Sequence, residues 1–116
     1  MLKYTRLVAL FLIMLSLEAC GNSQLQKTKA NTDQASLDKG NQYFHQYRCV
    51  QCHGENGKTG FADLTKVAEK YSLDQVKTWI SNPRSVKPNT SMPSFNMLND
   101  EQLTDLAKYV MHLGKK

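Results

Sequence analysis

Three cysteines, three prolines and one tryptophan are few for a chain of 116 residues, and much of its reading comes from what it leaves out. No segment alternates apolar and polar residues over the length of a strand, so nothing in the pattern supports a sheet. The apolar run at 7–17, "LVALFLIMLSL", is far shorter than the roughly 20 residues that cross a bilayer as a helix. Lysine and arginine outnumber the acids by 15 to 10, but they are scattered. Nucleic-acid surfaces cluster such charges and interleave aromatics, so none is expected here. A structural zinc site usually repeats its ligand pairs, and the chain has no second pair of cysteines or histidines at that spacing.

The N-terminal run has a different use. Lys3 and Arg6 precede it, and a charged start followed by about 7 to 15 apolar residues is the pattern of a secretory signal, which assigns residues 1–19 to a signal peptide. The residues that follow, "LEAC" at 17–20, resemble the lipobox of bacterial lipoproteins. That resemblance implies lipid on Cys20, which becomes the first residue of an exported chain held to a bacterial membrane and facing the periplasm or extracytoplasmic space. It also removes one of an odd number of cysteines from further chemistry. Without residues 1–19, thirteen basic side chains face nine acidic ones, a charge of +4.

Residues 20–35 are polar and aperiodic and read as a lipidated flexible tether. Residues 36–116 then form one small domain of the all-α class. Ser36 is expected to cap a first helix with an apolar face of Leu37, Gly40, Phe44 and Tyr47. Asp63 caps a second, bearing Leu64, Val67, Ala68 and Tyr71. Ser72 with Gln75 makes a capping-box pattern for a third, carrying Leu73, Val76, Trp79 and Ile80 and ended by Pro83. Asn99 with Gln102 opens the last, whose stripe runs Leu103, Leu106, Ala107, Val110 and Leu113 to a stop at Gly114. All three prolines fall between the last two helices, in a stretch expected to be irregular throughout.

Two of the three cysteines sit in "RCVQCHGENG", residues 48–57. Three chemistries use a Cys-x-x-Cys pair. A thiol–disulfide redox site wants a βαβ setting, which is missing. Zinc on Cys49, Cys52 and His53 would need His45 or His112 as a fourth ligand. Covalent haem attachment wants a histidine directly after the second cysteine, and His53 is there. Two intervening residues bring both sulfurs to one side of a helical turn, where they can bond the two vinyl groups of one porphyrin. His53 then supplies an axial nitrogen, provided that its other ring nitrogen finds a partner that fixes the tautomer. For the opposite face, Met92 in "SMPSF" offers a thioether on a segment stiffened by Pro93. Met97, His45 and His112 are rivals, and packing beside Phe95 is the plainer use of Met92. Met111, next to the last apolar stripe, reads as structural.

With Gly40, Phe44, "CVQCHG", "MPSF" and "LNDEQLTDLAKYV" in place, residues 37–113 resemble the class I cytochrome c family. The resemblance implies a small helical domain wrapped around one covalently bound haem c, with Cys49, Cys52, His53 and Met92 binding the cofactor and His53 and Met92 on the metal. It implies that the first and last helices cross at Gly40, opposite Leu106 and Tyr109. "ADLT", "WISNP" and "VKPNTSMPSF" are most similar to the cytochrome domain of subunit II of bacterial haem-copper oxidases. Many relatives place a proline after the haem motif, where its carbonyl holds the proximal histidine, and "GKTGFADL" has none.

The function implied is a membrane-tethered carrier of single electrons, not an enzyme, working between respiratory partners such as a quinol–cytochrome c reductase and a terminal oxidase. Phe61, Leu64, Tyr71, Trp79, Ile80, Phe95 and Leu98 are the expected wrapping, and Lys58, Lys66, Arg84 and Lys87 a docking rim. The alternative is a haem c enzyme or sensor in which peroxide or a gas displaces Met92. It lacks a distal acid–base pair, since His45 and His112 are the only other histidines.

Overall fold

Local side-chain chemistry sets the helix starts. Ser72 accepts the amide of Gln75 at 3.3 Å while the Gln75 side chain accepts the amide of Ser72 at 2.8 Å. Asn99 and Gln102 make the same reciprocal pair at 2.9 and 3.1 Å. Each such cap contributes about 1 kcal/mol. The two helices they open form the inner part of the fold in the computed structural model, which describes residues 21–115, with side chains from Thr28 onward. The expected signal peptide and the lipidation site Cys20 lie outside the described residues.

Among the described residues there is no strand, and the chain is all-α as expected. In order come α1 (Gly21–Gln46), α2 (Cys49–His53), a 3-10 turn (Leu64–Lys66), α3 (Val67–Lys70), α4 (Leu73–Ser81), α5 (Pro83–Val86), α6 (Asp100–His112) and a closing 3-10 turn (Leu113–Lys115). The chain divides after Asp33 into two units. The described part of the first is the start of α1, where the Thr32 hydroxyl donates back to the Thr28 carbonyl at 2.9 Å.

The second unit holds the core. Leu106, Ala107, Tyr109 and Val110 on α6 are buried with Phe44 of α1, Val76 and Ile80 of α4, Leu98 and Leu113. Phe44 and Leu106 are each only 1% exposed, and full burial of such a side chain stabilises by roughly 1.5–3 kcal/mol. α1 meets α6 at Gly40, where an added Cβ would overlap the Asp105 carbonyl oxygen and lie 2.6 Å from Tyr109 Cβ. The crossing at Gly40 is therefore as expected, but its closest partners are Asp105 and Tyr109 instead of Leu106 and Tyr109.

Four local expectations are corrected. The helix that carries Ser36 already includes Gly21, so Ser36 is a buried interior residue and not a cap. Side chains 28–35 are all exposed, and a helix that packs none of its faces has no apolar stripe for a periodicity argument to find. Asp63 caps the 3-10 turn, and the α-helix that follows is only the four residues of α3. Pro83 ends α4 but also opens α5, because proline at a first helical position forgoes an amide that would be unbonded anyway. Gly114 has no positive φ and does not stop α6 by a left-handed turn; a Cβ there would overlap the Thr65 carbonyl, so glycine lets the closing turn lie against Leu64–Lys66.

The Asp63 cap makes stability depend on pH. The hydroxyl and amide of Thr65 hold the Asp63 carboxyl below its ordinary range. A folded-state pKa lowered in this way adds stability above the unfolded value of about 3.9, and that stability is lost as pH falls through the lower folded value. Asp63→Asn is expected to be less stable than wild type at neutral pH, with the gap closing in strong acid, as thermal melts across that range would show.

Candidate cofactor site

The path into the site is a tight reversal. α1 ends with the Tyr47 amide on the Tyr43 carbonyl at 2.9 Å and the Arg48 amide on the His45 carbonyl at 3.0 Å. Arg48 sits at φ 60°, ψ 28°, the one non-glycine with positive φ among the described residues. That conformation costs a residue with a side chain roughly 1–2 kcal/mol. It turns the chain straight into α2, which is closed by the Gly54 amide on the Val50 carbonyl at 2.8 Å.

Residues three apart on a helical turn share a face, so α2 presents Cys49 and Cys52 together. Neither is in a disulfide; Cys49 is half-buried and Cys52 exposed. Burial pushes the Cys49 thiol up to about 11. Among the described residues no three His, Cys, Asp or Glu side chains gather to hold a metal ion by themselves.

The loop after α2 folds back on it. The Phe61 amide reaches the Cys52 carbonyl at 3.1 Å, and Gly60 allows this at φ 90°, where a Cβ would overlap that same carbonyl. The return brings the Ala62 carbonyl to 3.4 Å from His53 Nδ1. A carbonyl only accepts, so as a hydrogen bond this contact takes its proton from Nδ1, the tautomer in which Nε2 can serve as a donor to a metal. It is longer than the usual 2.7–3.2 Å or so of a strong N–H···O bond. Ala62 thus supplies the backbone oxygen nearest His53 Nδ1, a role invisible in the sequence because any residue carries that oxygen. Phe61, expected in the wrapping, is 80% exposed; its backbone is tied to Cys52 and its ring is left outside.

Met92 is placed by a stitched loop. The Thr90 amide bonds the Lys87 carbonyl at 3.1 Å, and the Met92 amide bonds the Thr90 hydroxyl at 3.3 Å. Beyond it, the Ser94 hydroxyl donates to the Ser81 carbonyl and the Phe95 amide to the Ile80 carbonyl at 3.1 Å, fastening the loop to the end of α4. Phe95 meets Tyr47 edge-on at 6.2 Å, which joins this loop to the turn that delivers Cys49. Met92 is half-buried and packs against the core, Met111 likewise, whereas Met97 is 68% exposed. His45 is exposed and lies 3.6 Å from the Glu55 carboxylate.

The residues present fit a haem. Two thiols on one turn, an imidazole with a backbone carbonyl facing Nδ1 and a half-buried thioether are the donor set it needs. Trp79 Nε1–H is buried with no partner, and a buried donor without an acceptor is costly. Trp79 also lines a cleft of about 410 Å³ with Tyr71, Gln75, Thr78, Ser85 and Val86, to which Cys49, Cys52, His53 and Met92 do not contribute.

Comparison with known proteins agrees. The cytochrome c family model matches residues 37–114. Cytochrome c6 of Cyanidium caldarium is 30% identical over 83 residues, covering 71% of this chain and 75% of that one. Cytochrome c oxidase subunit 2 of Bacillus subtilis strain 168 is 27% identical over 106 residues, covering 78% of this chain but only 30% of its own length. No solved structure matches. The chain belongs to the cytochrome c family, carries one covalently bound haem c, and is an electron-carrying c-type cytochrome.

Proposed function

We propose that Cys49 and Cys52 would hold the haem through thioethers, that His53 and Met92 would ligate its iron, and that the domain shuttles single electrons at a membrane to which lipid on Cys20 holds it. The observation that carries this reading is the Tyr47–Phe95 contact, because it joins the turn bearing the cysteines to the loop bearing the methionine. When bound, haem c supplies an iron that gains and loses one electron. With the Ala62 carbonyl facing Nδ1, His53 has Nε2 free to donate, and the stitched loop holds the Met92 thioether ready. With both His53 and Met92 as ligands the iron would offer a substrate no open position, which favours a carrier over an enzyme. A methionine–histidine pair raises the potential. Ile80 and Leu98 are buried and Leu64, Tyr71, Trp79 and Phe95 half-buried, and such apolar surroundings disfavour the extra charge of the oxidised iron.

Residues 20–35 serve as the tether that raises effective concentration at the membrane. No described helix is long and apolar enough to cross it. The partners are respiratory proteins on the extracytoplasmic side, a quinol–cytochrome c reductase as donor and a terminal oxidase as acceptor; the similarity to an oxidase subunit supports the second. Cys20→Ser is expected to move the protein from the membrane to the soluble fraction with its reduced-minus-oxidised spectrum intact. Retention on the membrane would refute the anchor.

Lys58, Lys66, Arg84 and Lys87 are all exposed and form the docking rim for an acidic partner surface. Neutralising them is expected to slow electron transfer at low salt and to flatten its ionic-strength dependence. Stopped-flow rates that ignore salt in the wild type would dismiss the rim and leave the haem assignment standing.

A further inference from the structure

The buried face of α1 begins at Ser36, since every described side chain before it is exposed. From there Ser36, Gly40 and Phe44 recur every fourth residue and face α6. The Ser36 hydroxyl bonds Asp105 Oδ1, Gly40 lies against the Asp105 carbonyl and Tyr109 Cβ, and the Phe44 ring stands 5.5 Å from that of Tyr109. Gly40 gives one point of closest approach, about which a helix can still rock. Contacts a turn to either side prevent this: the one toward Cys49 is aromatic and the one toward the upstream chain is polar. Asp105 is 6% exposed and Ser36 8%, and Asp105 Oδ2 is buried with no hydrogen-bond partner. Apolar side chains would commonly serve stability better than a half-satisfied buried carboxylate, and the best-attested use of such groups is to fix one arrangement.

We propose that Ser36 and Asp105 form a clasp at the N-terminal edge of the α1–α6 crossing. It keeps the N-terminal end of the buried face of α1 seated on α6, and so steadies the turn after Gln46 that leads into Cys49 and α2. Both are positioning residues, and the clasp does not depend on the haem assignment. The ion pair between Lys39 and Glu101, 2.8 Å and largely exposed, bridges the same two helices at the surface and provides the control.

Hydrogen exchange on the full haem-loaded chain tests this. Ser36→Ala strips Asp105 of its donor, and an unmade buried bond of ~1–3 kcal/mol corresponds to roughly 5–150-fold. Amides at 36–44 should exchange faster by that factor, while those at 106–110 and the visible spectrum hold. Ser36→Thr, which keeps the hydroxyl, and the double variant Ser36→Ala with Asp105→Leu, which removes both polar partners, should restore protection to within a few-fold. Glu101→Gln should leave it unchanged. Exchange of α1 within two-fold of wild type in Ser36→Ala would overturn the clasp. So would equal acceleration of α1 and α6, or failure of that variant to fold, because a clasp acts locally.

Discussion

Gly40→Ala is expected to destabilise the domain by ~2–3 kcal/mol, although alanine in a helix interior is ordinarily better than glycine by about 1 kcal/mol. The sign reverses because the added methyl has nowhere to go. It would overlap the backbone oxygen of Asp105 and lie 2.6 Å from Tyr109 Cβ, and backbone cannot swing aside as a flexible side chain can. The two helices must separate, which loosens Phe44 and Leu106, the most deeply buried large side chains. Gly40→Val should fail to accumulate. Denaturant melts of the haem-loaded protein give the comparison. An alanine variant as stable as wild type would mean that the helices do not meet at this residue.

Met92→Ala is expected to lower the reduction potential, within the ~0.8 V range that differences in axial ligation span, and to open the iron to added imidazole or cyanide. Met97→Ala should do neither, since Met97 is 68% exposed. Met111→Ala should cost roughly 2–3 kcal/mol of stability by opening a gap against the core while leaving the potential in place. The three variants separate ligation from packing. A Met97→Ala protein with the fallen potential would transfer the sixth-ligand role to that residue.

What could be read from the sequence was chemistry confined to a few neighbouring residues. The Ser72–Gln75 and Asn99–Gln102 capping boxes form as expected, because the donors and acceptors of such a box lie within one turn. The apolar stripe of α6 is likewise legible, Leu106, Ala107 and Val110 being buried as the spacing requires. The upstream extent of α1 was hidden, since an exposed polar helix leaves no periodic trace. The Ala62 carbonyl opposite His53 was hidden for another reason: it is backbone, brought there by a loop whose return hangs on Gly60. Gly114 shows how one residue type serves two purposes, close approach and chain reversal, that sequence alone does not separate. The Ser36–Asp105 pair left one faint signal, a carboxylate beside the apolar stripe of the last helix, whose partner 69 positions away only the fold could name.

The intact mass of the denatured, purified chain is the most direct measurement. Attachment through Cys49 and Cys52 predicts the polypeptide plus one haem, with the adduct surviving acid–acetone extraction and no longer surviving it in a Cys49→Ser, Cys52→Ser double variant. A wild-type mass without haem, with the pigment passing into the organic phase, would contradict covalent attachment and the site built on it.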